Sequence, residues 1–139
     1  MVRKIISVVL GLASAVLIFL IAEKLNASMH PFPKTLDFSN SKAVKEFFDS
    51  QPFLFWLIVL LAWAIGSFIC GLVIKIVGKS NNKVLAYVAG GILTLSGIAN
   101  IFSLPHPTWF IVVGLLIFVP FVLAGHRVFK LKMTENDQQ

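Results

Sequence analysis

The sequence predicts an all-α membrane protein: a four-transmembrane-helix bundle running up-down-up-down, with a short amphipathic outer-surface helix in its first loop. Three observations predict it. Hydrophobic residues make up 58% of the 139-residue chain and charged residues only 13%, against roughly half and a quarter in soluble domains. Four segments reach the ~20 apolar helical residues that a ~30 Å hydrocarbon core requires, none with a charge at its centre. Lys and Arg then favour one set of segment ends over the other, as they do when basic residues stay on the cytoplasmic side.

The spans are expected at about 5–22, 52–77, 84–102 and 108–128, forming one transmembrane domain over 1–128 with a cytoplasmic tail at 129–139. Lipid offers the backbone no hydrogen bonds, so each span must be a helix. The first resembles a signal peptide, with Arg3 and Lys4 before an apolar run and an Ala13-Ser14-Ala15 site, but the run continues to Ala22 and predicts an uncleaved helix. In the loop that follows, His30-Pro31-Phe32-Pro33 cannot be helical. Beyond Asn40 or Ser41, either a fair N-cap, Val44, Phe47 and Phe48 recur at helical spacing and predict a short helix lying on the membrane surface. Asp49 or Ser50 caps the second span, whose first turn tolerates Pro52. Ser80-Asn81-Asn82 makes a tight turn into the third span, and Ser103 to Pro107 joins the third and fourth as an antiparallel hairpin. Pro120 predicts a kink in the fourth.

Eight basic residues flank the ends shared by the N-terminus, the middle turn and the C-terminus: Arg3, Lys4, Lys75, Lys79, Lys83, Arg127, Lys130 and Lys132. The opposite side has four, Lys24, Lys34, Lys42 and Lys45, matched by Glu23, Asp37, Glu46 and Asp49. With Glu135 and Asp137 counted, the first side carries the whole net charge of +6. Both termini are therefore expected in the cytoplasm, and the long loop and proline hairpin outside. Basic residues scattered singly in this way do not make a nucleic-acid surface.

Helices in lipid associate through close packing of small residues and through hydrogen bonds. Ser7, Gly11 and Ala15 form a small-residue stripe in the first span; Ala62, Gly66 and Cys70, with Ser67 and Gly71 alongside, in the second; Ala86, Gly90 and Thr94 in the third; and Gly114 lies in the fourth. These stripes fit either the seam of the bundle or the interface of a homo-oligomer or membrane partner. Trp63 lies eleven residues past Pro52, about 16 Å deep, and is expected to face the bundle, donating to Thr94 or a backbone carbonyl or simply packing, with stacking on a ligand as the alternative. Trp56 and Trp109 read as outer interface anchors and Tyr87 as an inner one.

Glu23, His30, Asp37, Asn100 and His106 come from separate parts of the chain and are all expected near the outer membrane boundary. Glu23 sits at the end of the first span, where the helix dipole disfavours its charge unless a partner such as Lys24 answers it. Two imidazoles and one or two carboxylates could relay protons or hold a divalent ion, although no ligand pair has zinc-like spacing and no metal is expected. His126, beside Arg127, reads as a headgroup-level charge. The lone Cys70 excludes a disulfide within the chain. No nucleophile elbow, phosphate-binding glycine loop or HExxH is present, which points away from an enzyme and implies no cofactor.

The run Leu61-Ala62-Trp63-Ala64-Ile65-Gly66-Ser67-Phe68, with Gly97-Ile98-Ala99-Asn100 and Pro105-His106-Pro107-Thr108-Trp109-Phe110, resembles an uncharacterised family of small four-helix bacterial inner-membrane proteins. The His30-Pro31-Phe32-Pro33 stretch and Leu36-Asp37 extend the resemblance over most of the chain. It implies a bacterial plasma membrane and assigns no role to any residue. Two functions are expected: an accessory or self-associating membrane bundle using the small-residue stripes, and, as the alternative, a small transporter or permeation unit entered at the outer polar residues. An intramembrane enzyme acting on lipid or quinone rests on those polar residues alone.

Overall fold

The computed structural model describes residues 1–128, so that the expected cytoplasmic tail lies outside the described residues. Regular structure within them is helical throughout: α1 (Val2–Met29), α2 (Ser41–Asp49), α3 (Phe53–Gly78), α4 (Val84–Ser103) and α5 (Thr108–Arg127). Four of these, α1, α3, α4 and α5, are long and apolar enough to cross a membrane. The chain is thus a multi-pass membrane protein, all-helical among the described residues, with an outer surface rich in Ile, Leu, Val and Phe that suits lipid.

α1 does not stop near residue 22 but continues to Met29. The residues after Ala22 are mostly competent helix formers, and the stop comes from Pro31, which pushes the preceding His30 out of the helical region, to φ −130° and ψ 71°. Glu23 therefore lies inside the helix, and the dipole penalty expected of it at a helix terminus does not apply.

Asn40 caps α2, its side-chain oxygen accepting from the backbone N–H groups of Lys42 and Ala43. The expected apolar face is present, yet it does not look outward: Val44 and Phe48 are buried with Phe55 and Trp56 in the protein's own core. Phe48 meets the rings of Phe55 and Trp56 of α3 at 5.9 and 6.0 Å, and Phe32 from the preceding loop packs behind it against Phe47 and Phe48 at 5.1 and 6.3 Å.

α3 is the central helix, with α1 on one flank and α5 on the other. Against α1, the stripe Ser7, Gly11 and Ala15 is buried. A Cβ on Gly11 would come within 2.8 Å of Ile74, one on Gly66 within 3.2 Å of the Ala15 carbonyl, and one on Gly78 within 2.8 Å of the Ser7 hydroxyl. Arg3 near the start of α1 donates to the Val77 carbonyl near the end of α3 at 2.8 Å, and Asn26 near the end of α1 donates to the Phe55 carbonyl near the start of α3 at 3.1 Å, so the two helices run in opposite directions.

Against α5 the approach is closer still. A Cβ added at Gly71 would lie 1.9 Å from the Val122 carbonyl oxygen, and one at Gly125 1.9 Å from that of Phe68. Only residues without a side chain allow this backbone-on-backbone crossing. It also carries His126 inward: the expected headgroup charge is a buried side chain, 1% exposed, because the backbone beside Gly125 is held against α3. Nearby, buried Lys75 donates to the Asn81 side-chain oxygen, and Lys79 ends α3 in the left-handed region at φ 45°. α5 runs unbroken through Pro120.

α4 rests mainly on α5, with Gly90 against Val119 and Gly97 against Phe118, and touches α1 and α3 only sparsely. Ala62 is buried in α3. The Thr94 hydroxyl donates along its own helix to the Gly90 carbonyl at 2.8 Å, and no bond from the Trp63 indole to Thr94 forms. Trp63 packs instead, its ring lying against Gly114 with Phe110 and Phe118 at 5.2 and 5.0 Å.

Candidate binding cavity

Where α4 stands away from α1 and α3, toward the end of the bundle that carries the long loop, a cavity of about 310 Å³ opens. Its walls are aromatic, built mainly from Phe19, Phe55, Trp56, Trp63 and Phe118, with Phe48 of α2 also in the lining. Set into them are Glu23 and Asn26 from α1, Ser96 and Asn100 from α4, and His106 from the hairpin before α5. Glu23, Ser96 and Asn100 are exposed, so the cavity is open along the gap between α1 and α4.

Three of the five candidate polar residues, Glu23, Asn100 and His106, thus line one space. His30 stands behind it: its Nδ1–H donates to Asn26 Oδ1 at 3.0 Å, while Asn26 Nδ2 holds the Phe55 carbonyl. An amide oxygen can only accept, so His30 must be the donor. The ring of His30 meets Phe55 edge-on at 5.6 Å, and the imidazole acts as a strut tying the loop to both α1 and α3. Asp37 takes no part in the lining; its Oδ1 accepts from the Ser39 hydroxyl at 2.6 Å and the Ser39 backbone N–H at 2.9 Å in an exposed turn. Those two bonds hold its carboxyl below the usual carboxylate range.

His106 is clamped between Phe110, stacked at 5.1 Å, and Trp56 at 5.5 Å. Burial among these rings pushes its pKa below the usual 6.5, against the raising effect of backbone hydrogen bonds to Leu104 and Ile101. The ring is accordingly uncharged at neutral pH, with Nδ1–H donating to the Leu104 carbonyl at 2.7 Å. Trp56, expected as an outer interface anchor, is 5% exposed and forms part of the cavity wall, because α2 and the hairpin cover it from both sides. Trp109 is the outward-facing indole, 40% exposed and stacked on Phe53 at 5.3 Å.

Glu23 makes no ion pair among the described residues; neighbouring Lys24 does not answer it, and no Lys or Arg lines the cavity. Asn26 and Ser96 are lining residues that the sequence reading passed over. Periodicity could have found them, since Asn26 is three residues from Glu23 and Ser96 four from Asn100, each pair on one helical face. Among the described residues no three His, Cys, Asp or Glu side chains come together to hold a metal ion. No family model, curated protein or solved structure matches the chain.

Proposed function

We propose that this protein binds a small amphiphile in the cavity between α1, α3 and α4, as the recognition site of a transport or permeation unit. The observation that carries this reading is the meeting of Glu23, Asn100 and His106, with Asn26 and Ser96, on one aromatic-walled space in a membrane protein. Cavities of this size with a few convergent polar groups suit small molecules, and an opening between lipid-facing helices suits one that partitions into the bilayer. The basic residues favour both termini in the cytoplasm of a bacterial plasma membrane, with the cavity facing the outer boundary and the helices crossing up-down-up-down. α2 then lies at the outer surface and contributes Phe48 to the cavity lining.

The reading as an accessory or self-associating bundle has less to draw on, since Ser7, Gly11, Ala15, Gly66, Cys70, Ala86 and Gly90 are covered by the chain's own helices. Trp56 and Trp63 both line the cavity, so with Trp109→Phe removing the outward indole they report on its contents. Short-chain brominated amphiphiles should quench them saturably, and Ser96→Phe, which fills the opening, should abolish the saturable component. Quenching that rises linearly with amphiphile in the bilayer, and is the same in the Ser96→Phe protein, would sink the proposal.

A further inference from the structure

We infer that the preferred occupant is a lipophilic organic cation, an ammonium-type head on an apolar body, held by the Glu23 carboxylate against the faces of the cavity's aromatic rings. This rests on the binding role proposed for the cavity and names the chemistry of what enters it.

Four observations lead there. Glu23 is the one charged residue in the lining, and no ion pair forms with it among the described residues. It lies within α1, three residues or ~4.5 Å before Asn26 and so nearer the middle of the span, and Asn26 is itself held to the first turn of α3. An acid at this level beside lipid is costly unless a partner answers it, and such residues mark ligand or ion paths. No lysine or arginine of the lining can be that partner, and His106, uncharged at neutral pH, does not supply the missing positive charge.

The walls make the same choice independently. Trp56, Trp63, Phe48 and Phe55 line the space, and an aromatic ring carries the negative end of its quadrupole on its faces. They attract a diffuse organic cation, which gives up its hydration easily, and repel an anion. An anionic amphiphile would face both the carboxylate and these faces. A bare metal ion would find no ligand group of three among the described residues. The apolar body of the cation would lie along Val59, Leu93 and Phe118 and leave through the gap between α1 and α4.

The test compares three probes of equal chain length, an alkyltrimethylammonium, an uncharged alkyl alcohol and an alkyl sulfate. Each is titrated into the full chain in maltoside micelles, with Trp56 and Trp63 fluorescence read in the Trp109→Phe background. The cation should bind about tenfold more tightly than the alcohol, the scale of a desolvated cation–aromatic contact helped by one carboxylate, and the sulfate should bind weakest. Glu23→Gln should bring the cation's affinity close to that of the alcohol in the same variant, as expected for removal of a charge contact. Equal affinity for all three probes, or a cation preference that survives Glu23→Gln, overturns the inference and leaves the cavity as a binding site for neutral amphiphiles. Failure of every probe to saturate removes the binding role itself. The alcohol also checks the fold of the variant, and should Glu23→Gln fail to fold, the ranking of the three probes on the parent protein decides alone.

Discussion

The two halves of the bundle solve helix packing in opposite ways. At the end opposite the long loop, glycines bring backbones into contact: Gly71 and Gly125 let α3 and α5 cross with no room for a Cβ, and Gly11 and Gly78 seat α1 on α3. At the loop end the same helices carry the large rings of Phe55, Trp56, Phe110 and Trp63, and α4 touches α1 and α3 only sparsely. In lipid no hydrophobic drive forces such a gap shut, because tails are as apolar as the helix surfaces. One half is therefore a clasp and the other a splayed pocket. Residue size at the seams separates a structural half from a binding half on one set of helices.

The sharpest way to break this contrast is to enlarge the clasp. Gly71→Leu or Gly125→Leu must displace a carbonyl 1.9 Å from the new Cβ, and a backbone cannot yield as a side-chain tip does. Each should cost about 3 kcal/mol or more, at the upper end of overpacking effects, read as a large fall in the thermal midpoint in detergent. A midpoint unchanged by either variant would mean that the α3–α5 crossing is not what holds the clasp.

A smaller loss is expected at the joint between loop and pocket. Asn26 is buried and spends its amide on two partners, donating to the Phe55 carbonyl and accepting from His30. Asn26→Leu leaves the His30 donor without its partner at a part-buried position, for a cost of about 1–3 kcal/mol. Because the same joint sets the cavity's rim, the variant should weaken amphiphile binding more than Gly78→Ala does, which presses on Ser7 at the far end. Equal effects on binding would blur the division into two halves.

The pocket can also be followed through His106. Its ring is packed between Phe110 and Trp56, and burial lowers its pKa. A depressed histidine adds stability that is complete above the unfolded value near 6.5 and is lost as pH falls through the lower folded value. Nitrogen-15 NMR of the imidazole should show it more than half neutral at pH 6.5. Trp56→Ala, by opening one face of the ring to water, should raise the titration toward 6.5. A His106 that titrates at or above 6.5 in the parent would show the pocket to be wet rather than ring-lined.

Much of the clasp was legible in the sequence, and less of the pocket. Ser7, Gly11 and Ala15 repeat at the spacing that puts them on one helical face, and that face is buried against α3. Small residues at seams are read from local spacing alone. Trp56 shows the contrary case: an indole near a span end reads as a lipid anchor, and what buries it is the return of α2 and the hairpin, both distant in sequence. The inward face of α2 was hidden for the same reason, since Val44 and Phe48 have the same spacing whether they meet lipid or Phe55. The placement of Glu23 turned on where α1 ends. Apolar composition fades at Ala22, whereas the backbone stays helical until Pro31 makes it stop. Asp37 stays out of the cavity because its short side chain is satisfied by Ser39 two residues away.

The smallest effect isolates glycine's role in the clasp from glycine as such. Gly90 and Gly91 are adjacent in α4, and only the first is a contact: its Cβ would meet Val119 at 3.1 Å, whereas one on Gly91 would meet nothing within 4 Å. Gly91→Ala removes a helix-weakening residue from an open position and should be neutral or stabilising by up to about 1 kcal/mol. Gly90→Ala receives the same propensity gain and loses it to the contact with Val119, so it should be less stable than Gly91→Ala when the two are unfolded side by side. If the ranking reverses, α4 is not held to α5 by close approach at Gly90, and the gap that forms the cavity would have to be set by the aromatic rings alone.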